Sequence, residues 1–188
     1  MQAHLTPDEE RDLITHLAQN PDGFRQLYQN YFPRIYAYVA SRVSTRQDAE
    51  DIVSDVFVSV IEAIDRFEYR GNGSFAAWLF RIAYNEVQGH YRQTLRRSTI
   101  PLADIDIESH ELPQDEALSQ KEQAERLRAM LQTLSPRRQE IITLRYFGEL
   151  RNQEIAEVLG LNEKTVASHL SRGLEDLQRK YGQKDVQP

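Results

Sequence analysis

The 188-residue chain has no cysteine, one tryptophan and two methionines. Without thiols there is no disulfide scaffold, no thiolate zinc site and no cysteine nucleophile, so only His, Asp and Glu are left as metal ligands. No apolar run approaches the roughly 18 residues that a membrane-spanning helix needs. The first twenty residues carry Asp8, Glu9, Glu10 and Asp12 where a secretory signal would be apolar. A cytoplasmic protein without membrane insertion is expected. Also missing are a phosphate-cradling glycine loop, a His-Glu-x-x-His pair and a nucleophile constellation. The chain therefore reads as a non-enzyme with no cofactor and no metal site.

What is present is charge, unevenly spread. The net charge of −6 argues weakly against nucleic acid, whose phosphates are neutralised by cationic side chains. Residues 1–99 carry 11 Lys/Arg against 13 Asp/Glu, residues 100–119 carry none against 6, and residues 120–188 carry 12 against 10. The middle stretch accounts for the whole excess, and either flank can hide a basic face. With Pro101, Pro113 and no helical period, residues 99–113 read as an acidic linker.

On both sides of that linker apolar residues recur at three and four, and nothing alternates like a strand for long. The expected fold is all-α: two small helical domains joined by a flexible acidic linker, the second ending in a helix-turn-helix. The divisions are a leading segment 1–20, a first domain 21–98, the linker 99–113, a second domain 114–183 and a tail 184–188. In the first domain Pro21 opens a helix with Phe24, Leu27, Tyr28, Tyr31, Ile35 and Val39 on one face. A second helix is expected from about Gln47 to Phe67, and a third from an N-cap at Ser74 after the turn Arg70-Gly71-Asn72-Gly73. In the second domain a helix spans Gln114 to Thr133, and Ser135-Pro136 starts another that ends at Gly148. Cores this small are marginal alone.

The run from Gln153 to Val166 has helix-turn-helix spacing. Ala156 stands where two helices would cross, Gly160 supplies the turn and Asn162 caps the second helix. Winding that helix puts Val166, Leu170, Leu174 and Leu177 on a core stripe and Lys164, Ser168, Ser171 and Arg172 on the opposite one, free to enter a major groove. A solvated helical hairpin is the bland alternative.

In the first domain, Ala49, Ile52, Val53, Val56, Val60 and Ile64 form an apolar face, with Asp48, Asp51, Asp55, Glu62 and Asp65 opposite. The segment 44–68 holds 2 Lys/Arg against 7 Asp/Glu, which is either a solvated surface or a dock for a basic partner. No His or Lys organises these carboxylates for acid/base work. The next helix reverses the sign, with Arg81, Arg92, Arg96 and Arg97 against Glu86 alone between residues 81 and 99. Arg81, Asn85, Gln88 and Arg92 share a stripe near Phe67, Tyr69, Phe75, Trp78, Phe80, Tyr84 and Tyr91. Phe75 and Trp78 are expected in the core; arginines and amides beside spare rings suit unstacked single-stranded nucleic acid.

Together these residues resemble the extracytoplasmic-function (ECF) sigma factors, promoter-recognition subunits of bacterial RNA polymerase, over about Phe24 to Tyr181. Asp48 through Phe57 is similar to the family's polymerase-docking helix, and Ser74 through Asn85 to its promoter-melting helix. Leu134 through Tyr146, followed by Glu154-Ile155-Ala156, is similar to its second domain. The resemblance implies binding to core RNA polymerase (beta-prime and beta subunits), with Asp48, Glu50, Asp51 and Asp55 docking on beta-prime. It implies promoter DNA as the other partner: Arg81, Asn85, Gln88 and Arg92 at the minus-ten element, and Lys164, Thr165, Ser168, His169, Ser171 and Arg172 at the minus-thirty-five element. It also implies promoter melting by base capture and a possible anti-sigma factor. The chain departs from the family's pattern at Ala167 and His169, where basic residues are frequent, and at Arg151, a common serine cap whose role Asn152 is expected to take. The residues Glu163 to Val166 with His169 also resemble a LuxR-type output helix, which would make the first domain a sensory or dimerising bundle. The charge map suggests further that the acidic linker, or a partner, masks the basic strips at 81–97 and 164–179 in the free protein.

Overall fold

A computed structural model describes residues 5–16, 21–98 and 126–181, and every regular element among them is helical. The linker 99–113, the first half of the helix expected from Gln114 and the tail 184–188 lie outside the described residues. The helices are α1 (Pro7–Thr15), α2 (Pro21–Arg42), α3 (Arg46–Ala63), α4 (Ser74–Ser98), the described turns 126–132 as α5, α6 (Pro136–Tyr146), α7 (Asn152–Leu159) and α8 (Glu163–Tyr181).

The expected faces become the core with local changes. Ala49, Ile52, Val53, Val56 and Val60 of α3 are buried against α2 and α4, and Phe57 joins them. On α2, Leu27, Tyr31, Ile35 and Val39 are buried, whereas Tyr28 is exposed and lies against Phe32 and Phe57. Helix α3 ends at Ala63 and tightens into a 3-10 turn at Ile64–Arg66, short of the expected Phe67. Ser74 is not the cap of α4. The carbonyl of Gly73, at φ +86°, accepts the first helical bond from the Ala77 N–H, while the Ser74 hydroxyl turns back to accept the Arg70 N–H.

The C-terminal helices pair as a helix-turn-helix. Gly160 closes α7 in the left-handed region at φ 63°, and Asn162 Oδ1 accepts the Thr165 N–H at 2.8 Å to open α8. The Arg151–Asn152 start differs from expectation: Arg151 holds the cap position, and the Glu154 carboxylate accepts its N–H at 2.6 Å. Val166 is fully buried, but the core stripe of α8 runs through Gly173 rather than Leu174, which is 38% exposed. A Cβ at Gly173 would come within 2.7 Å of Ile142, so close approach of α6 selects glycine there. Helix α6 stops at Tyr146, two residues before Gly148.

The described residues on the two sides of the linker share one core. Tyr38 and Phe80 from the first half are buried in the same cluster as Ile141, Leu144, Leu150 and Ile155 from the second, with α4 packed on α7.

Candidate functional site

The acidic surface of α3 separates into committed and uncommitted carboxylates. Thr45 caps the helix: its hydroxyl accepts the Asp48 N–H at 3.0 Å and donates to Asp48 Oδ2 at 2.6 Å, leaving Asp48 half-buried in a local cap. Glu50 accepts from Arg46 Nε at 2.7 Å, and this contact holds the exposed guanidinium above its usual pKa. Asp51 and Asp55, one turn apart and exposed, have no ion-pair partner among the described residues. Beside them α2 and α3 form an open apolar groove with Tyr28, Phe32, Phe57, Val58 and Ile61 in its walls. Val58 and Ile61 are more than half exposed. The pair of free acids therefore borders an uncovered apolar strip.

The basic stripe lies on α4. Arg81, Asn85 and Arg92 are exposed and Gln88 is half-buried, so the four share one outward face. Phe75 is core as expected, but Trp78 is only half-buried. It packs on Phe67 and Phe75, with ring centroids at 4.9 and 5.7 Å, and lines a cleft of about 570 Å³ at the start of α4. That cleft also holds Arg66, Arg70, Asn72 and Arg81, while Asn85 lies outside its lining. The sequence pattern pointed to the aromatic cluster but not to Arg66 and Arg70 as cleft residues, because the turn at Gly71 (φ +115°) and Gly73 folds them back toward α4. One wall is unexpected: Gln153 and Glu157 of α7 line the cleft, and the Arg81 guanidinium donates to the Glu157 carbonyl.

On α8, Lys164, Ser168, Ser171 and Arg172 face outward, as the winding requires. Thr165 is half-buried, and both its N–H and its hydroxyl bond to Asn162 Oδ1, so it completes the cap. The Ser171 hydroxyl donates to Glu175 at 2.9 Å. His169 is half-buried, and its Nδ1 is enclosed without a hydrogen-bond partner among the described residues. Among the described residues no group of three or more His, Asp or Glu is placed to hold a metal, and no helix is long and apolar enough to cross a membrane.

An exposed helix-turn-helix, a basic aromatic helix and an acidic helix on an all-α frame are the features of a promoter-recognising transcription factor. The comparisons with known proteins agree in content and order. The family model "Sigma-70 region 2" matches residues 27–97, and "Sigma-70, region 4" matches residues 124–177. The ECF RNA polymerase sigma factor BldN of Streptomyces coelicolor is 32% identical over 165 residues, covering 86% of this chain and 61% of that relative. The chain thus spans less than two thirds of that relative's length. The sigma factor YlaC of Bacillus subtilis is 29% identical over 161 residues, covering 84% of this chain and 91% of its own. In fold, the chain is similar to CnrH, solved in complex with the cytosolic domain of CnrY, at a TM-score of 0.71 and 24% identity over 93% of this chain and 98% of that one. It is also similar to RpoE of Bartonella quintana, solved with the anti-sigma factor NepR, at 0.63 and 24% over 84% and 96%. The chain belongs to the ECF sigma factors, and its first half is a sigma region 2 rather than a sensory bundle.

Proposed function

We propose that this sigma factor works only within RNA polymerase, in the cytoplasm, as a promoter reader that also opens the DNA. Residues 21–98 act as the polymerase-docking and minus-ten domain and residues 114–183 as the minus-thirty-five domain. Asp51 and Asp55 dock on the beta-prime subunit. Their lack of an ion-pair partner among the described residues is the observation that carries this reading, since an acid already neutralised at home has less to offer a basic partner. Asp48 and Glu50 contribute through the field of the helix, one held in its cap and one in an exposed ion pair. The apolar strip at Val58 and Ile61 extends the contact and equally suits an anti-sigma factor, such as the one solved with RpoE.

On DNA, Lys164, Ser168, Ser171 and Arg172 read the minus-thirty-five duplex from the major groove, with Thr165 and His169 at the edge of that face. Asn85, Gln88 and Arg92 hold the minus-ten strand, Arg81 closes the row, and the neighbouring rings receive a base turned out of the stack. Melting then draws on binding energy, without a fuel molecule.

Run-off transcription with core polymerase and a promoter library tests the reading, together with a binding assay on the double variant D51K/D55K. Promoter-dependent transcripts and a loss of core affinity of at least about tenfold, or roughly 1.4 kcal/mol, are expected. Undiminished assembly of the charge-reversed protein would overturn the docking assignment.

A further inference from the structure

We infer that Ala167 is a specificity-determining residue of α8, its methyl group reading the 5-methyl of a thymine in the minus-thirty-five duplex. This rests on the reading of α8 given above, as the helix that enters that duplex from the major groove. Three observations carry it.

The first is placement. The Asn162 cap takes two donors of Thr165 and so holds the start of α8 in one register. At about 100° per residue, Ala167 stands about 60° round from Lys164 and about 40° from Ser171, on the side of the outward face away from Arg172. It is exposed, as are Lys164, Ser168, Ser171 and Arg172.

The second is size. Between Lys164 and Arg172 the outward residues are Ala167, Ser168 and Ser171, all of them short. A helix about 10–12 Å across just fits a major groove about 12 Å wide. With a leading face this shallow, the backbone of α8 approaches the groove floor and a Cβ touches base edges directly. The long side chains at either end of the row are left to reach phosphates.

The third is chemistry. A methyl group neither donates nor accepts a hydrogen bond, and the thymine 5-methyl is the one methyl on the major-groove edge of the bases. An amino or carbonyl group beneath Ala167 would lose its water and find no partner, so the side chain that gains from thymine also penalises the other bases. Ser171 points the same way. Its hydroxyl proton goes to Glu175 Oε1 at 2.9 Å, so the group it turns outward is an acceptor. Ala167 and Ser171 are i and i+4 neighbours, with Cβ atoms about 5–6 Å apart. A methyl beside an acceptor complements an A·T pair, which carries a methyl on thymine and an amino donor on adenine. Where the family frequently has a cation, this chain thus exchanges attraction to phosphate for selection of a base.

The test uses the full chain assembled with core polymerase, on a promoter taken from the run-off library. Each thymine of its minus-thirty-five element, on either strand, is replaced in turn by deoxyuridine, which deletes the 5-methyl and keeps the pairing edge. The wild type is expected to lose about fourfold in affinity at one thymine, the factor for a single buried methyl group. Ala167→Gly should bind the thymine and deoxyuridine duplexes alike at that position. Ala167→Lys, which suits a helix and puts a cation in the place of the methyl contact, should do the same. If circular dichroism shows that the glycine variant has lost helix, Ala167→Lys alone decides. Indifference of the wild type to every deoxyuridine, or a sensitivity that survives in the deciding variant, overturns the inference while leaving the promoter reading in place. If no minus-thirty-five sequence is selected from the library at all, the promoter reading fails and takes this inference with it.

Discussion

Glu10 is a carboxylate that burial turns into a pH-sensitive group. It sits in α1 against α2 and accepts from the Tyr31 hydroxyl, and desolvation holds its pKa above the ordinary value near 4.5 although Tyr31 and Arg34 pull it back. A carboxyl with a raised folded value favours the native state fully below its unfolded pKa, and that contribution is lost as pH rises through the folded value. Glu10→Gln, which keeps an acceptor for Tyr31, should therefore gain on the wild type in melting temperature near pH 7 and lose that advantage near pH 4.5. Parallel curves would show that Glu10 titrates as it does in the unfolded chain. Gly73 offers a second residue-level contrast. Alanine at Gly71 meets nothing within 4 Å and costs only the strain of a positive φ, about 1–3 kcal/mol. Alanine at Gly73 adds a collision with the Glu154 and Arg151 side chains of the other half, so it should be the more destabilising on thermal denaturation. Equal losses would mean that the turn does not press on α7. The identity of the acidic helix was legible in its sequence, but which acids are free was not. Asp48 is consumed by a cap and Glu50 by Arg46, and such pairings depend on rotamers that spacing leaves open.

The elements themselves were largely readable, since helix faces follow from a 3.6-residue period and from turn chemistry. Gly160 and Asn162 were legible because a left-handed closing residue and a side-chain cap leave marks in composition. Asn162 serves two donors of Thr165 at 2.8 and 2.9 Å, so Asn162→Ala should cost about 1 kcal/mol and lower the melting temperature by about 2–4 °C. A smaller shift would show that water replaces the cap. The misreadings occurred where two signals compete. Leu174 outranks Gly173 in hydrophobicity, yet the approach of Ile142 puts glycine on the buried stripe. Ser74 outranks Gly73 as a cap by type, yet its hydroxyl is taken by Arg70 and the positive φ falls on glycine.

At the scale of the molecule, the charge map divides the chain into two units, but the shared core was invisible to it. Ile155 and Leu144 carry the same apolar signature whether they fill a helix-turn-helix or also meet Phe80 and Tyr38. Long-range pairing of two apolar faces has no period to read, and the buried cluster in which Tyr38 donates to Glu140 Oε1 at 2.6 Å and Arg42 Nη2 lies 3.2 Å from Glu140 Oε2 is spelled by single residues about a hundred positions apart. That cluster gives a prediction for stability. Replacing the buried cluster with Tyr38→Phe, Arg42→Met and Glu140→Leu together removes the desolvation penalty and leaves packing, a change that is neutral or stabilising by about 1–4 kcal/mol in buried ion pairs. The triple variant should therefore melt at the wild-type temperature or above it on thermal denaturation. A lower melting temperature would mean that the ion pair and its hydrogen bond return more than their desolvation costs.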